Sequence, residues 1–138
     1  MDSSQKQFKK RNAILSYLRN TDSHPSAEMV YNHLKPEYPD LSLGTVYRNL
    51  SMFKAKGDII SLGAVNGVER FDGNTCPHVH FVCTTCDAVN DLPKIQVPEA
   101  LNEEVKSQTG GSIDVCQLTF MGQCKNCLAT PLKGEETA

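Results

Sequence analysis

Two Cys-x-x-Cys motifs constrain this chain more than any other feature of its sequence. One joins Cys83 to Cys86, the other joins Cys124 to Cys127, and 37 residues separate the pairs. Each motif places two thiolates on one tight turn, and two such turns supply the four sulfur ligands of a closed tetrahedral zinc site. The spacing therefore predicts a structural zinc that joins the ends of one folded segment. Two disulfides, a single redox-active motif or an iron–sulfur cluster are alternatives that the spacing leaves open.

Composition excludes several classes of protein. The 138 residues are 39% hydrophobic and 22% charged, which is typical of neither disordered nor fibrous chains. The apolar runs are too short for a transmembrane helix, and the first twelve residues lack the apolar core of a secretory signal. We therefore expect a cytoplasmic protein with no membrane partner, in which thiols bind metal rather than form disulfides.

The net charge of −2 conceals an uneven distribution. Residues 1–75 contain ten Lys or Arg and eight Asp or Glu, whereas residues 76–138 contain four and eight. Five of the basic residues lie between positions 6 and 19, with no acidic residue among them. The total charge therefore does not exclude nucleic-acid binding by the first half of the chain.

The first half has the pattern of a winged helix-turn-helix domain. Helices are predicted over residues 5–20, from an N-cap at Ser26, and from Ser42 to a C-terminal Gly57. Two strand-like runs come next, Asp58–Leu62 and Val68–Asp72, and the Asn66-Gly67 pair between them is typical of a hairpin turn. Three helices and a hairpin predict a winged-helix DNA-binding domain in residues 1–72.

The second half predicts a small α/β domain, so the fold class of the whole chain is α+β. Strands are predicted over 78–83, 88–92 and 112–122. A helix with Pro98 at its first position and glycine at its end lies between the second and third strands. We place a hinge at residues 73–77 and the second domain at 78–138.

A His-x-His pair precedes the first cysteine motif. Alternate residues of a strand point to one face, so His78 and His80 can address one ion, although two surface histidines are the alternative. Nitrogen and carboxylate ligands suit Fe(II), Mn(II), Zn(II) or Co(II). The neighbouring donors that we include are His24, Asp72 and Asp91.

The third predicted helix begins with side chains suited to DNA. Arg48 can bond guanine, Tyr47 can pack on a thymine methyl group, and Ser42 and Thr45 suit phosphates. Lys10 in the first helix is a further candidate for contact with DNA. A solvated helix face is the alternative interpretation.

These motifs together resemble the ferric uptake regulator (Fur) superfamily of metal-dependent repressors. The resemblance runs from about residue 5 to residue 128, through HPSAEMVY, SLGTVYRNL, RFD, HVHFVCTTC and CKNC. It implies a winged helix, a hinge and an α/β dimerisation domain. It also implies a homodimer that binds AT-rich inverted repeats in double-stranded DNA and is not an enzyme.

Within the family, the chain is most similar to the peroxide-responsive (PerR) type. That type has a regulatory metal site of three histidines and two aspartates. Aspartate at position 91 is distinctive, because iron-uptake sensors usually carry glutamate there. The resemblance implies that the regulatory ligands are His24, Asp72, His78, His80 and Asp91.

The resemblance also implies a mechanism. Fe(II) in the regulatory site would react with peroxide and oxidise His24 or His78 to 2-oxo-histidine, which would release operator DNA. Mn(II) in the same site would support repression without that chemistry. A Fur-type sensor of iron, manganese or zinc abundance is one alternative, and a thiol redox protein that uses its Cys-x-x-Cys motifs is another.

Two cysteines have no role in this scheme. Cys116 stands in the predicted third strand, where relatives often have histidine, and we expect it to be a buried core thiol. Cys76 lies in the predicted hinge, where we expect it to be exposed. The sequence has no histidine after position 80, so the additional metal site of many Fur proteins is not expected.

Overall fold

The computed structural model describes residues 3–76, 78–114 and 116–129. The chain divides into two compact units, Met1–Thr75 and Cys76–Ala138. Position 77 of the predicted hinge and the end of the predicted second domain lie outside the described residues.

Three helices form most of the first unit, and local sequence signals account for their ends. The Ser26 hydroxyl accepts a hydrogen bond from the Met29 N–H at 3.2 Å, and Ser42 accepts one from the Thr45 N–H at 3.1 Å. These bonds satisfy N–H groups that a helix leaves unpaired at its first turn. Gly57 ends the third helix in the left-handed conformation, as expected for a glycine at this position. The helices are α1 (Ser3–Asn20), α2 (Ala27–Leu34) and α3 (Leu43–Lys56).

The apolar periodicity of these helices produces one buried core. Val46, Leu50 and Phe53 recur at i, i+4 and i+7 on α3, and each is at most 3% exposed. They belong to a cluster of buried side chains that also includes Ile14, Leu18, Ala27, Val30, Leu34, Leu41, Ile59 and Phe71. The core therefore joins all three helices to the strand that carries Phe71.

An antiparallel hairpin, the wing, completes the first unit. Its strands are β1 (Ile60–Val65) and β2 (Val68–Asp72). Asn66 and Gly67 both have positive φ, 52° and 81°, which is the backbone that a two-residue hairpin turn requires. Strand β1 begins later and runs further than predicted, because an irregularity at Gly63 lets the ladder continue through residues that we assigned to the turn.

The second unit is a three-stranded sheet with two helices. Strand β3 lies in the centre, antiparallel to β4 on one edge and parallel to β5 on the other. A parallel neighbour requires a long crossover connection, which here contains β4 and a helix. The elements are β3 (Val79–Cys83), β4 (Val89–Leu92), α4 (Glu99–Thr109), β5 (Leu118–Gly122) and α5 (Lys125–Ala129).

Three details of the second unit differ from the prediction. Strand β5 has five residues rather than eleven, because its partner β3 offers only five pairing positions. Pro98 has an extended ψ of 137° and is the N-cap of α4 rather than its first helical residue. The short helix α5 was not predicted, because the Cys-x-x-Cys pattern indicates a turn without specifying the conformation of the residues after it.

Gly73 yields a test of the close packing between the end of β2 and α1. A Cβ atom at this position would lie 2.5 Å from the backbone carbon and oxygen of Leu18, neither of which can rotate away. We expect Gly73→Ala to destabilise the first unit by about 1–3 kcal/mol through overpacking. All four tyrosines lie in residues 1–75, so urea unfolding followed by tyrosine fluorescence reports on this unit.

Gly111→Ala is the matched control, because a Cβ atom there would meet only the Thr109 hydroxyl at 3.6 Å, an ordinary contact. It should leave the tyrosine transition unchanged. An equal midpoint for Gly73→Ala and the unmodified protein would contradict the predicted overpacking.

Candidate metal centres and nucleic-acid interface

The sheet of the second unit brings the two cysteine motifs together. Strands β3 and β5 are parallel, and Cys83 at the end of β3 pairs in register with Gly122 at the end of β5. The first motif turns away directly after β3, and the second begins two residues after β5. The Thr84 N–H donates to the Gly122 carbonyl at 2.8 Å and holds the two strand ends side by side. Motifs 37 residues apart in sequence are thus neighbours in space.

The four sulfur atoms have the spacing that one metal ion requires. All four lie within 4.8 Å of one another, and the Sγ atoms of Cys86 and Cys124 are 3.9 Å apart. Zinc–sulfur bonds of about 2.3 Å at tetrahedral angles place sulfur atoms about 3.8 Å apart. The 3.9 Å between Cys86 and Cys124 is about twice the length of a disulfide bond, so the spacing suits a shared ion better than an S–S bond between these two residues. The donor set fits a closed four-sulfur zinc site formed by Cys83, Cys86, Cys124 and Cys127.

Hydrogen bonds within the cluster lower the pKa of one thiol and raise that of another. The N–H groups of Cys86 and Cys124 donate to Cys83 Sγ and lower the pKa of that thiol to about 6. Contact with Cys124 Sγ, followed by desolvation, raises the pKa of Cys127 to about 12. One thiolate therefore forms near neutral pH, while the cluster resists becoming fully ionised. A bound cation supplies the positive charge that four adjacent thiolates require.

The first unit places two of the predicted regulatory ligands together. His24 Nε2 lies 3.4 Å from Asp72 Oδ2, and their side chains are 2% and 5% exposed. The other carboxylate oxygen of Asp72 accepts a hydrogen bond from the Asn74 N–H at 2.9 Å. The imidazole and carboxylate are thus buried and oriented toward each other at the end of β2.

The second unit groups the other three predicted ligands. Nε2 of His78 and Nε2 of His80 lie 3.0 and 3.2 Å from the same oxygen, Asp91 Oδ1. His80 and Asp91 are cross-strand partners in the register of β3 and β4. His78 Nδ1 lies 2.6 Å from the carbonyl oxygen of Cys76, and such a bond directs Nε2 toward the ligand position. Two imidazole nitrogens and a carboxylate thus converge on one point, a donor set that suits Fe(II) or Mn(II).

The predicted DNA-contacting residues of α3 fall into two groups. Tyr47 is 51% exposed and Arg48 is also exposed. Ser42 and Thr45 take part in the N-terminal hydrogen bonds of the helix, and the Arg48 guanidinium donates to the Thr45 hydroxyl at 3.1 Å. Tyr47 and Arg48 are therefore the stronger candidates for reading bases.

The sequence suggests that Lys10 is available to contact DNA, but in the structure its side chain is largely buried. Its side chain is only 14% exposed, and Nζ lies 3.1 Å from Asp40 Oδ2. The hydrogen bond from Lys10 lowers the pKa of Asp40. A contact between Lys10 and a phosphate would have to compete with this ion pair.

The two unassigned cysteines are both accessible to some degree. Cys76 is exposed, as predicted. The prediction that Cys116 is a buried strand residue is wrong, because β5 begins after it and the side chain is half-buried. Cys116 lines a cavity of about 460 Å³ whose wall also contains His78, Ile95, Val97 and Ile113.

One buried residue near the predicted ligands was missed by the sequence reasoning. Arg70 is only 9% exposed and donates hydrogen bonds to backbone carbonyls of the loop that carries His24. Its position in the RFD motif, two residues before the predicted ligand Asp72, was the available signal. Among the described residues, no helix is long and apolar enough to cross a membrane.

Comparison with known proteins identifies relatives over most of the chain. The profile of the ferric uptake regulator family matches residues 2–121. The peroxide-responsive repressor PerR of Staphylococcus epidermidis is 34% identical over 119 residues, which are 85% of this chain and 77% of that protein.

Two solved structures extend the comparison to the fold. The Campylobacter jejuni peroxide stress regulator is 27% identical, with a TM-score of 0.77 over 92% of this chain and 100% of that one. The ferric uptake regulator from Francisella tularensis, solved with iron, is also 27% identical, with a TM-score of 0.71 over 87% and 92%.

These matches confirm the predicted α+β fold class and the family resemblance. The relatives are named as regulators and repressors rather than enzymes. The chain therefore belongs to the ferric uptake regulator family and is a regulatory protein, not an enzyme.

Proposed function

We propose that this chain is a dimeric, metal-dependent transcriptional repressor that releases operator DNA when peroxide oxidises one of its metal-binding histidines. The observation that carries the proposal is the set of three histidines and two aspartates, each of which lies within its own unit beside another predicted ligand. PerR-type relatives and a peroxide stress regulator of similar fold support the same response.

We assign the regulatory metal to both halves of this ligand set. His24 and Asp72 offer one nitrogen and one oxygen donor from the first unit, and His78, His80 and Asp91 offer two nitrogens and one oxygen from the second. The two histidines and one aspartate of the second unit match a known Fe(II) donor set that leaves coordination positions open, and His24 and Asp72 would fill two of those positions. An ion that takes ligands from both halves would fix the DNA-binding unit relative to the dimerisation unit. The hinge that we predict at residues 73–77, from the Gly and Pro of GNTCP, lies between the two sets of ligands in the sequence.

The proposed response to peroxide is the oxidation of one ligand. Fe(II) held by these ligands would supply the redox chemistry that activates peroxide, and peroxide itself would be the two-electron oxidant. The O–O bond would break, the ring carbon between the two nitrogens of His24 or His78 would gain one oxygen, and the second oxygen would leave as water. The ring nitrogens of the resulting 2-oxo-histidine are amide-like and no longer bind metal as the nitrogen of a neutral imidazole does. Loss of that ligand would weaken metal binding and so lower the affinity for DNA. With Mn(II) in the same site, the protein would repress without this oxidation.

A sensor of iron, manganese or zinc abundance is the second candidate, because the same donors bind each of these metals. One experiment separates the two functions. The Fe(II)-loaded protein is treated with stoichiometric peroxide, and its peptides are mapped by mass spectrometry. A gain of one oxygen on the peptide containing His24 or His78, together with loss of DNA binding, supports peroxide sensing. DNA release only on chelation, with both histidines unmodified, would favour the abundance sensor.

The four-cysteine site has a separate structural role in this proposal. Zinc there would join the ends of β3 and β5, and the unit that contains them has a small core. The site has no open position for substrate when four thiolates are bound, which favours structural zinc over thiol catalysis.

DNA binding is assigned to α3 and the wing. A helix whose first turns expose Tyr47 and Arg48 can present both to base edges in a major groove. We propose an AT-rich inverted repeat as the operator, on the basis of the family resemblance. The two halves of an inverted repeat match the twofold symmetry of a dimer. We also propose a cytoplasmic location, as the family resemblance implies for a regulator that binds DNA.

Homodimer formation is assigned to the second unit. Phe120 and Met121 on β5 are 53% and 64% exposed, and Leu101 and Val105 on α4 are 40% and 41% exposed. Large apolar side chains this exposed on two elements of one unit are typical of surfaces that a partner covers. A second copy of the chain is the partner that the proposed function requires.

Removal of the zinc tests the structural site. We expect Cys124→Ser to lose the one zinc ion per chain and the dimer, because structural zinc contributes about 10 kcal/mol or more to small zinc-dependent folds. Metal analysis and gel filtration measure the two effects. Cys76→Ser is the control, because Cys76 lies outside the cluster and should change neither. Retention of zinc and dimer by Cys124→Ser would remove this assignment.

Asp91→Glu tests the choice between peroxide sensing and metal sensing. The longer side chain displaces the oxygen that both His78 and His80 approach, so we expect slower histidine oxidation with Fe(II) but retained DNA binding with Mn(II). Mass mapping after timed exposure to peroxide gives the rate. Asp114→Glu, an exposed aspartate of the same unit, should oxidise at the normal rate. Equal rates for all three proteins would exclude Asp91 as a determinant.

Arg48→Ala tests base reading by α3. If Arg48 bonds a guanine, its loss should cost about 1–3 kcal/mol on the operator and relax specificity at one position. Titrations with operator and with random DNA of equal length measure both effects. Lys56→Ala, a basic residue in the last turn of α3, should not change the preference for operator over random DNA. An equal loss on both DNAs for Arg48→Ala would place this side chain on the phosphate backbone instead.

A further inference from the structure

The guanidinium of Arg70 is bound to the backbone of the loop that carries His24. Arg70 lies in β2, is 9% exposed, and donates from Nε to the carbonyl oxygen of His24. One terminal nitrogen of the same guanidinium donates to the carbonyl oxygen of Ser23 at 2.8 Å. A planar fork of donors therefore spans two consecutive carbonyls, which a single ammonium group cannot do with the same geometry.

The two residues after Arg70 hold the same loop. The Phe71 N–H donates to the Pro25 carbonyl at 2.9 Å, and Asp72 Oδ2 lies 3.4 Å from His24 Nε2. Three successive residues of β2 thus contact three successive residues of the loop between α1 and α2. The contacts alternate between side chain and backbone and leave the loop a narrow range of positions.

His24 has a backbone conformation that needs such support. Its φ is +51°, in the left-handed region that residues other than glycine seldom adopt. The imidazole is 2% exposed, so its direction is set by the backbone and by the surrounding packing rather than by solvent. A change in the backbone of residue 24 would rotate Nε2 away from Asp72.

We propose that Arg70 is a positioning residue for the His24 metal ligand. It holds the carbonyls of residues 23 and 24 so that His24 keeps its left-handed backbone and directs Nε2 to the same place as the Asp72 carboxylate. The inference rests on the proposed function in that His24 is a ligand, whereas the contacts that carry it lie wholly within the first unit. Because β2 is a strand of the wing, the contacts of Arg70 also connect His24 to the hairpin.

Two substitutions at position 70 and a neighbouring control test the role. Arg70→Gln removes the charge and the fork, and Arg70→Lys keeps the charge without the fork. Glu69→Gln is the control, because Glu69 lies beside Arg70 on β2 but contacts Ser61 and Lys54 instead of the loop. Urea unfolding followed by tyrosine fluorescence establishes that each variant retains the folded first unit.

The first readout is Mn(II) affinity, measured by calorimetry on the full-length protein with its zinc retained. We expect Arg70→Gln to weaken Mn(II) binding by roughly 10- to 100-fold, as loss of a residue that orients a ligand typically does. Arg70→Lys should recover only part of the affinity, and Glu69→Gln should bind as the unmodified protein does. Affinities for Arg70→Gln within about twofold of the unmodified protein would overturn the inference.

The second readout needs no regulatory metal. Histidine resonances of the zinc-retaining protein are recorded by NMR without Mn(II) or Fe(II), with His33 on α2 as an internal reference. We expect Arg70→Gln to shift the His24 resonances and to speed exchange of the Phe71 amide, while His33 is unchanged. An unmodified protein that fails to bind Mn(II) would contradict the proposed function, and these NMR shifts would still decide whether Arg70 positions His24. Unchanged His24 resonances in a folded Arg70→Gln protein would refute the positioning role of Arg70.

Discussion

Strand β3 pairs with a neighbour on each edge, and both ligand clusters of the second unit depend on that pairing. Its parallel register with β5 ends at Cys83 and Gly122 and sets the two cysteine motifs side by side. Its antiparallel register with β4 places His80 opposite Asp91. A shift of one residue in either register would turn alternate side chains to the other face and disperse one cluster. The backbone ladder of one five-residue strand thus organises seven donor atoms.

The sequence predicts much of this arrangement because its signals are local or chemical. N-cap serines, the Asn-Gly turn and the terminal Gly57 act over two to four residues, and the structure has all of them at the predicted positions. The cysteine pairs are informative for a different reason, since four thiols at that spacing have few uses other than a metal. The chemistry identifies the partners even though the sequence does not reveal the strand register that joins them.

Features that depend on long-range packing were beyond the reach of the sequence. The role of Arg70 is visible only when β2 lies against a loop 46 positions earlier in the chain. In the sequence, Gly73 is only a residue that ends a strand. The structure shows that the backbone of α1 lies where a Cβ atom at this position would be. The length of β5 and the position of Cys116 before it depend on how many residues β3 offers for pairing. In each case the deciding partner is remote in sequence, and no local propensity encodes it.

Helix α4 has apolar side chains at helical spacing, yet none of its eleven residues is buried within the chain. A helix of this kind gains little stability from its own protomer, because most helical stability in proteins comes from packing of an apolar face. If a second copy covers that face, folding of this unit obeys mass action, and its apparent stability rises with protein concentration. A cell that makes few copies would then hold a regulator that is limited by assembly before it is limited by metal or by peroxide. The abundance of the protein would thereby become a third variable that sets its occupancy on DNA.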